Sequence, residues 1–216
     1  EYLSTLDIPE SLAPFIRETN QLPADADDAD PDIKEIFIEE ANEVLAEIMP
    51  LYESWQKNST DLEGLKDIRR GFHTLKGSGR MVGANYTAEL AWSIENMLNR
   101  VLDNSIAISA DMRQLIIDVL AVYPKMLVAF EQGTQDYPAV VPVWIACANA
   151  YSKQQGNGFS YAALFAQSVD SSIDEMEEKT PWSDTAETRY AYDDNSNEAI
   201  DSTLQTFRSV NEKMAE

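Results

Sequence analysis

Positive charge is scarce in this chain of 216 residues, where 16 Lys and Arg stand against 38 Asp and Glu for a formal net charge of −22. So acidic a protein makes free nucleic acid an unsuitable partner over most of its surface. Cysteine is nearly missing. The single thiol, Cys147, closes no disulfide within the chain, and the apolar stretches stop well short of the roughly 20 residues a membrane span requires. Both absences point to a reducing, soluble, cytoplasmic setting. The chain opens at Glu1 with no initiator Met and no basic segment leading into an apolar one, which reads as an excised fragment with no signal peptide. Glycine is limited to 8 residues, none in a nucleotide-lid pattern, so no complete kinase core is expected here. Hydrophobic residues nevertheless make up 44%, enough to bury the core of one domain with extensions, or of two small ones.

The pattern that is present is helical. Residues 1–30 form an acidic lead interrupted by Pro9, Pro14 and Pro23, with one short helix expected near Leu12 to Arg17. Asp30-Pro31 is a helix start, an N-cap followed by proline at the first helical position, and it predicts a helix to about Gln56. Ile33, Phe37, Ala41, Val44, Ile48, Leu51 and Trp55 line one face of it, and Pro50 should bend it. A second helix is predicted over Asp61 to Met81, with Leu62, Leu65, Ile68, Phe72, Leu75 and Gly79 buried and Gly83 as its stop. A third covers Asn85 to Leu102, and a fourth follows Ser109 through Met112, Ile116, Leu120, Tyr123, Leu127 and Phe130, with a kink at Pro124. Each of these helices is apolar on one side only. Burying four such stripes calls for an antiparallel four-helix bundle over residues 31–131, an all-α fold. Residues 132–180 read as an accessory helical region, with helices over Val140 to Tyr151 and Phe159 to Glu178, and residues 181–216 as an acidic linker with a terminal helix through Ile200, Leu204, Phe207, Val210 and Met214.

The only histidine, His73, sits in the one basic stretch of the acidic chain, with Lys66, Arg69, Arg70, Lys76 and Arg80 around it. On a helical wheel it lies about 130° from the centre of the apolar stripe, so it should point outward. Arg69 and Lys76 flank it, one turn before and one turn after. Cations around an imidazole favour its neutral form, which keeps a nucleophilic nitrogen, and they would stabilise a phosphoryl group attached to it. Gly77-Ser78-Gly79 continues the helix with little side-chain bulk at about 1 kcal/mol per glycine relative to alanine, as if another backbone must come close.

The run Phe72-His73-Thr74-Leu75-Lys76-Gly77-Ser78-Gly79-Arg80-Met81-Val82-Gly83-Ala84 resembles the H-x-x-K-G-[SA]-[SAG] signature of histidine-containing phosphotransfer domains, with Gly79 where many relatives carry serine or alanine. Ile68-Arg69-Arg70, Leu90-Ala91 and Ile94-Glu95 add to the likeness. It implies that His73 accepts and donates a phosphoryl group through Nε2, that Lys76 screens the phosphoryl charge, and that Gly77 and Gly79 admit a response-regulator receiver domain. Ser78 is open between a bond to the phosphoryl group and one to its own helix backbone. Arg69, Arg70 and Arg80 are added from the wheel as electrostatic contacts to an acidic receiver pocket. The implied partners are receiver domains and a histidine kinase catalytic domain, in the same parent chain or in trans. No cofactor is expected on this chain itself; Mg²⁺ belongs to the receiver. The acidic lead, Ala91-Trp92-Ser93-Ile94-Glu95-Asn96 and the long C-terminal part also resemble the multi-domain chemotaxis-type histidine kinases that control type IV pili and twitching.

Three other readings are available. A scaffold or docking module would leave His73 without a chemical role. A hydrolase using His73 as general base would need a nucleophile and an orienting carboxylate, to which the sequence does not point. ATP binding is disfavoured, because G-x-G-x-x-x-G after a helix is not a dinucleotide fingerprint and the lysine precedes the glycines. No His, Cys and carboxylate set has the spacing of a tight metal site. On this reading the domain is a relay substrate without turnover of its own.

Overall fold

A computed structural model describes residues 6–26, 29–154 and 156–165. The predicted linker and terminal helix of 181–216, and most of the helix predicted over Phe159 to Glu178, lie outside those residues. The described part is all-α, with no strand among the described residues. Its helices are α1 (Ala13–Thr19), α2 (Pro31–Lys57), α3 (Leu62–Met81), α4 (Asn85–Leu102), α5 (Ala110–Glu131) and α6 (Val141–Ser152), followed by a 3₁₀ turn at Gly156–Gly158.

The start signals act as their chemistry requires. Asp30 accepts from Asp32 N, Asp61 from Glu63 N and Gly64 N, and Ser109 from Met112 N, each satisfying donors that a helix leaves unpaired. Helices α2 to α5 form an antiparallel bundle, and long-range pairs fix its directions. Gly64 lies by Trp55 and Gly71 by Ile48, so α3 runs back along α2. Phe37 meets the edge of Phe130 at 5.7 Å, while at the other end the Tyr52 hydroxyl donates to the Arg113 carbonyl at 2.7 Å, which sets α5 antiparallel to α2. Tyr123 donates to the Thr87 carbonyl at 2.8 Å and ties α5 to α4.

The buried face of α2 is rotated from the predicted one. Leu45, Met49 and Tyr52 are buried, Ile33 is exposed, and Val44 and Leu51 are half-buried. The cause is that α2 packs against both α3 and α5, so its apolar arc turns toward the side that meets Arg113. The acidic lead also departs from expectation. It is not simply solvated: Leu6, Leu12, Phe15 and Thr19 are buried, α1 packs on α6, and Ala26 N donates to Gly83 O at 3.0 Å. Helix α6 carries no charged residue, is buried along nearly its whole length, and packs against α1, α4 and α5. Cys147 is among them, its thiol pushed up by burial and by Asp111 nearby. No helix of the described residues is long and apolar enough to cross a membrane.

Candidate functional site

Helix α3 buries Leu65, Ile68, Phe72, Leu75 and Gly79 and thereby turns His73 outward, its side chain 57% exposed. The expected setting of bare cations is not what surrounds it. His73 Nδ1 lies 2.7 Å from Oε1 of Glu95, a residue of α4. On the other carboxylate oxygen, Lys76 Nζ stands 2.7 Å away in an ion pair, and it is 3.3 Å from Nδ1. Glu95 is itself buried. Desolvation pushes its carboxyl up, but the hydrogen bonds and positive charge of Lys76 and His73 outweigh that and hold it below the usual range.

This arrangement selects a tautomer. An ionised carboxylate only accepts, so the ring proton of a neutral imidazole sits on Nδ1 and the lone pair is left on Nε2. Lys76 is a donor too and cannot accept from Nδ1, so its role is to charge-pair with Glu95. A carboxylate behind an imidazole orients the ring, and it stabilises the positive charge that forms when Nε2 attacks an electrophile. Among the described residues, no serine, threonine or cysteine side chain hydrogen-bonds the ring. No group of three or more His, Cys, Asp and Glu among the described residues is placed to hold a metal ion.

The other predicted site residues divide. Gly77 faces open space, with nothing within 4 Å of where a Cβ would stand. Gly79 does not: it is buried against α4, where a Cβ would come to 3.2 Å of Ala88 Cβ, so it serves helix packing and offers no surface to a partner. Ser78 Oγ donates to the Thr74 carbonyl at 2.9 Å, the helix-backbone alternative, and is spent there. Lys66 pairs with Glu63 at 2.6 Å, Arg70 with Asp67 at 3.4 Å and Arg80 with Glu89 at 3.6 Å. Arg69 is half-buried with its Nε lacking an acceptor. The sequence reading missed Glu95 as a site residue. Its signal was there: a charged residue between Ala91 and Leu98, inside a run of buried positions of α4 where an acid needs a partner.

The site is thus an antiparallel helical bundle that presents one oriented histidine beside a lysine and an open glycine. Residues 32–131 match the family model of the Hpt domain. The chain is also similar to the chemotaxis protein CheA of Listeria monocytogenes, 28% identical over 101 residues, which cover 47% of this chain and 16% of that protein. A CheA of Bacillus subtilis is 29% identical over 86 residues, or 40% of this chain and 13% of the relative. The chain thus matches less than a fifth of the length of either relative.

Proposed function

We propose that the bundle is a phosphorelay module of two-component signalling in which His73 Nε2 takes a phosphoryl group and passes it to the aspartate of a receiver domain. The observation that carries this reading is the pairing of an exposed Nε2 with an Nδ1 held by Glu95. Phosphoryl transfer asks mainly for positioning and charge neutralisation. The chain supplies an oriented nucleophile; the receiver supplies its aspartate and Mg²⁺. Gly77 leaves the approach to the ring clear, and Lys76 acts through Glu95. The donor is a histidine kinase catalytic domain in the parent chain or in trans. The relatives are named as chemotaxis proteins, which supports a chemotaxis-type pathway, and the likeness of the Ala91–Asn96 run to pilus-controlling kinases favours type IV pilus and twitching control.

The test is to incubate the chain with a cognate kinase and ATP, or with a phosphorylated receiver. An acid-labile, base-stable phosphohistidine is expected, absent from His73→Gln. A scaffold role is the outcome if the unaltered protein, folded and mixed with several kinases and receivers, never acquires label. Ranking receivers by transfer rate tests the pathway: a pilus-type receiver should be served fastest.

A further inference from the structure

Five cations lie along α3 between Leu65 and Arg80, and four of them are engaged with carboxylates: Lys66 with Glu63, Arg70 with Asp67, Lys76 with Glu95 and Arg80 with Glu89. Arg69 is the exception among the described residues. It has no ion pair there, and its Nε is shielded from solvent with no acceptor. A buried N–H without a partner costs about 1 to 3 kcal/mol, more on a charged group. Arg69 precedes His73 by four residues, one helical turn, so the two Cβ atoms stand about 5 to 6 Å apart and the guanidinium can reach the space beyond the imidazole. On the wheel it shares with Lys76 the flank of His73 that faces α4. Lys76, which the family likeness assigned to the phosphoryl charge, is drawn down to Glu95 and is only 17% exposed.

From this division we infer that Arg69, not Lys76, is the positioning residue for the phosphoryl group on His73, binding its oxygens once the P–Nε2 bond has formed. The inference rests on the phosphoryl-acceptor reading above and says which side chain completes that site. The ligand chemistry fits the vacancy in hydrogen bonding: a phosphoryl group brings nearly two negative charges and three strong acceptor oxygens to a guanidinium whose donors are fixed in a fork. In the loaded state Glu95 faces the imidazolium Nδ1–H and Arg69 faces the phosphoryl group, so each charge created by transfer meets its opposite.

The experiment uses phosphoramidate, which needs no partner protein. Its P–N bond breaks, a P–Nε2 bond forms, ammonia leaves, and the ring keeps its Nδ1 proton toward Glu95. The ³¹P resonance of phospho-His73 is then followed against pH in the whole chain. Arg69→Gln should move the phosphoryl titration upward by about half a pH unit, the effect of removing one unit charge a few ångströms away. Arg69→Lys should restore most of the shift, and Arg70→Gln and Arg80→Gln, whose cations are already paired, should leave the titration in place. Arg69→Met takes the place of the Gln variant should thermal melting show that Gln disturbs the fold. An unchanged titration in Arg69→Gln, or equal shifts in all three arginine variants, overturns the assignment while the acceptor role of His73 stands. Failure of the unaltered chain to take up any phosphoryl group on His73 overturns both.

Discussion

Two carboxylates inside the same bundle are driven in opposite directions. Glu95, in the seam between α3 and α4, is held below the usual range, because the cations Lys76 and His73 outweigh its desolvation. Asp118, on α5, is pushed above its ordinary value by burial, which its bonds from Tyr161 and Gln114 only partly offset. Tyr161 donates to Asp118 at 2.5 Å and Gln114 at 2.9 Å, both uncharged donors. The cationic partners more than offset the desolvation of their carboxyl; the neutral ones offset it only in part. The first seam is therefore built to hold a charge where chemistry is proposed, and the second to join α5 to the segment after α6.

The largest expected effect comes from removing the charge in the first seam alone. Glu95→Gln keeps the shape but no longer compels the Nδ1 proton, and it leaves Lys76 unpaired. Uptake of phosphoryl from phosphoramidate should fall about 10- to 100-fold, by analogy with the loss of a hydrogen-bond partner that orients a metal-ligating histidine. Asp118→Asn should change the same rate by less than about twofold. Equal losses in the two variants would mean that the carboxylates act only through stability, and the contrast between the seams would be gone.

A third carboxylate sharpens the comparison with a smaller effect. Helix α4 starts after Ala84, which has no side-chain oxygen to cap it. Asp25 supplies one from the N-terminal lead, accepting from Tyr86 N at 2.9 Å through Oδ1 and from the Tyr137 hydroxyl through Oδ2, while Tyr86 and Tyr137 stack at 5.5 Å. Asp25 thus resembles Asp118 in having neutral donors, but it works as a borrowed N-cap. Asp25→Ala should destabilise the fold by about 1 to 2 kcal/mol, lowering the melting temperature by roughly 2 to 8 °C. Phosphoryl uptake at 25 °C should be unchanged. A comparable loss of uptake would join the lead to the site.

These three carboxylates also mark how far the sequence could be read. The bounds of α3 and α4 followed from Asp61, Gly83 and the apolar period, and the outward setting of His73 followed from the wheel, because both are properties of one helix. The likeness of His73, Lys76 and Gly77 to a phosphotransfer signature was equally local. What failed was what depends on which helix lies opposite. The cations around His73 looked bare until Glu95, 22 residues on, and Glu89 were brought against them. Gly79, on the buried stripe yet assigned by the family likeness to a receiver, is taken up by α4, and Gly71, unnoticed in the sequence, proves to be where α3 comes onto Ile48. The lead looked solvated because its acids far outnumber its one base, Arg17, and prolines interrupt it, although Leu12 and Phe15 are buried and anchor it. Periodicity reports that a face is buried; it does not report the neighbour.

The smallest predicted effect concerns stability against pH, and there the two seams should separate by sign. A carboxyl whose folded value lies below its unfolded one contributes stability that is present above the unfolded value and lost as pH falls through the folded one. Glu95 is of this kind, so acidification below about its ordinary 4.5 removes its contribution. Asp118 is of the opposite kind. Its folded value lies above the ordinary 3.8, so the folded state gains relative stability on acid and loses it as pH rises from there through the raised folded value. Melting curves between pH 3 and 7 should therefore show Glu95→Gln with a flatter acid limb than the unaltered chain. Asp118→Asn keeps an oxygen for the Tyr161 hydroxyl while removing the buried charge, and it should melt slightly higher at pH 7, with the difference closing toward pH 3. If Asp118→Asn instead melts lower at pH 7 and by the same amount at pH 3, the carboxylate of the second seam is matched by its neutral donors, and the distinction between cationic and neutral partners does not govern this bundle.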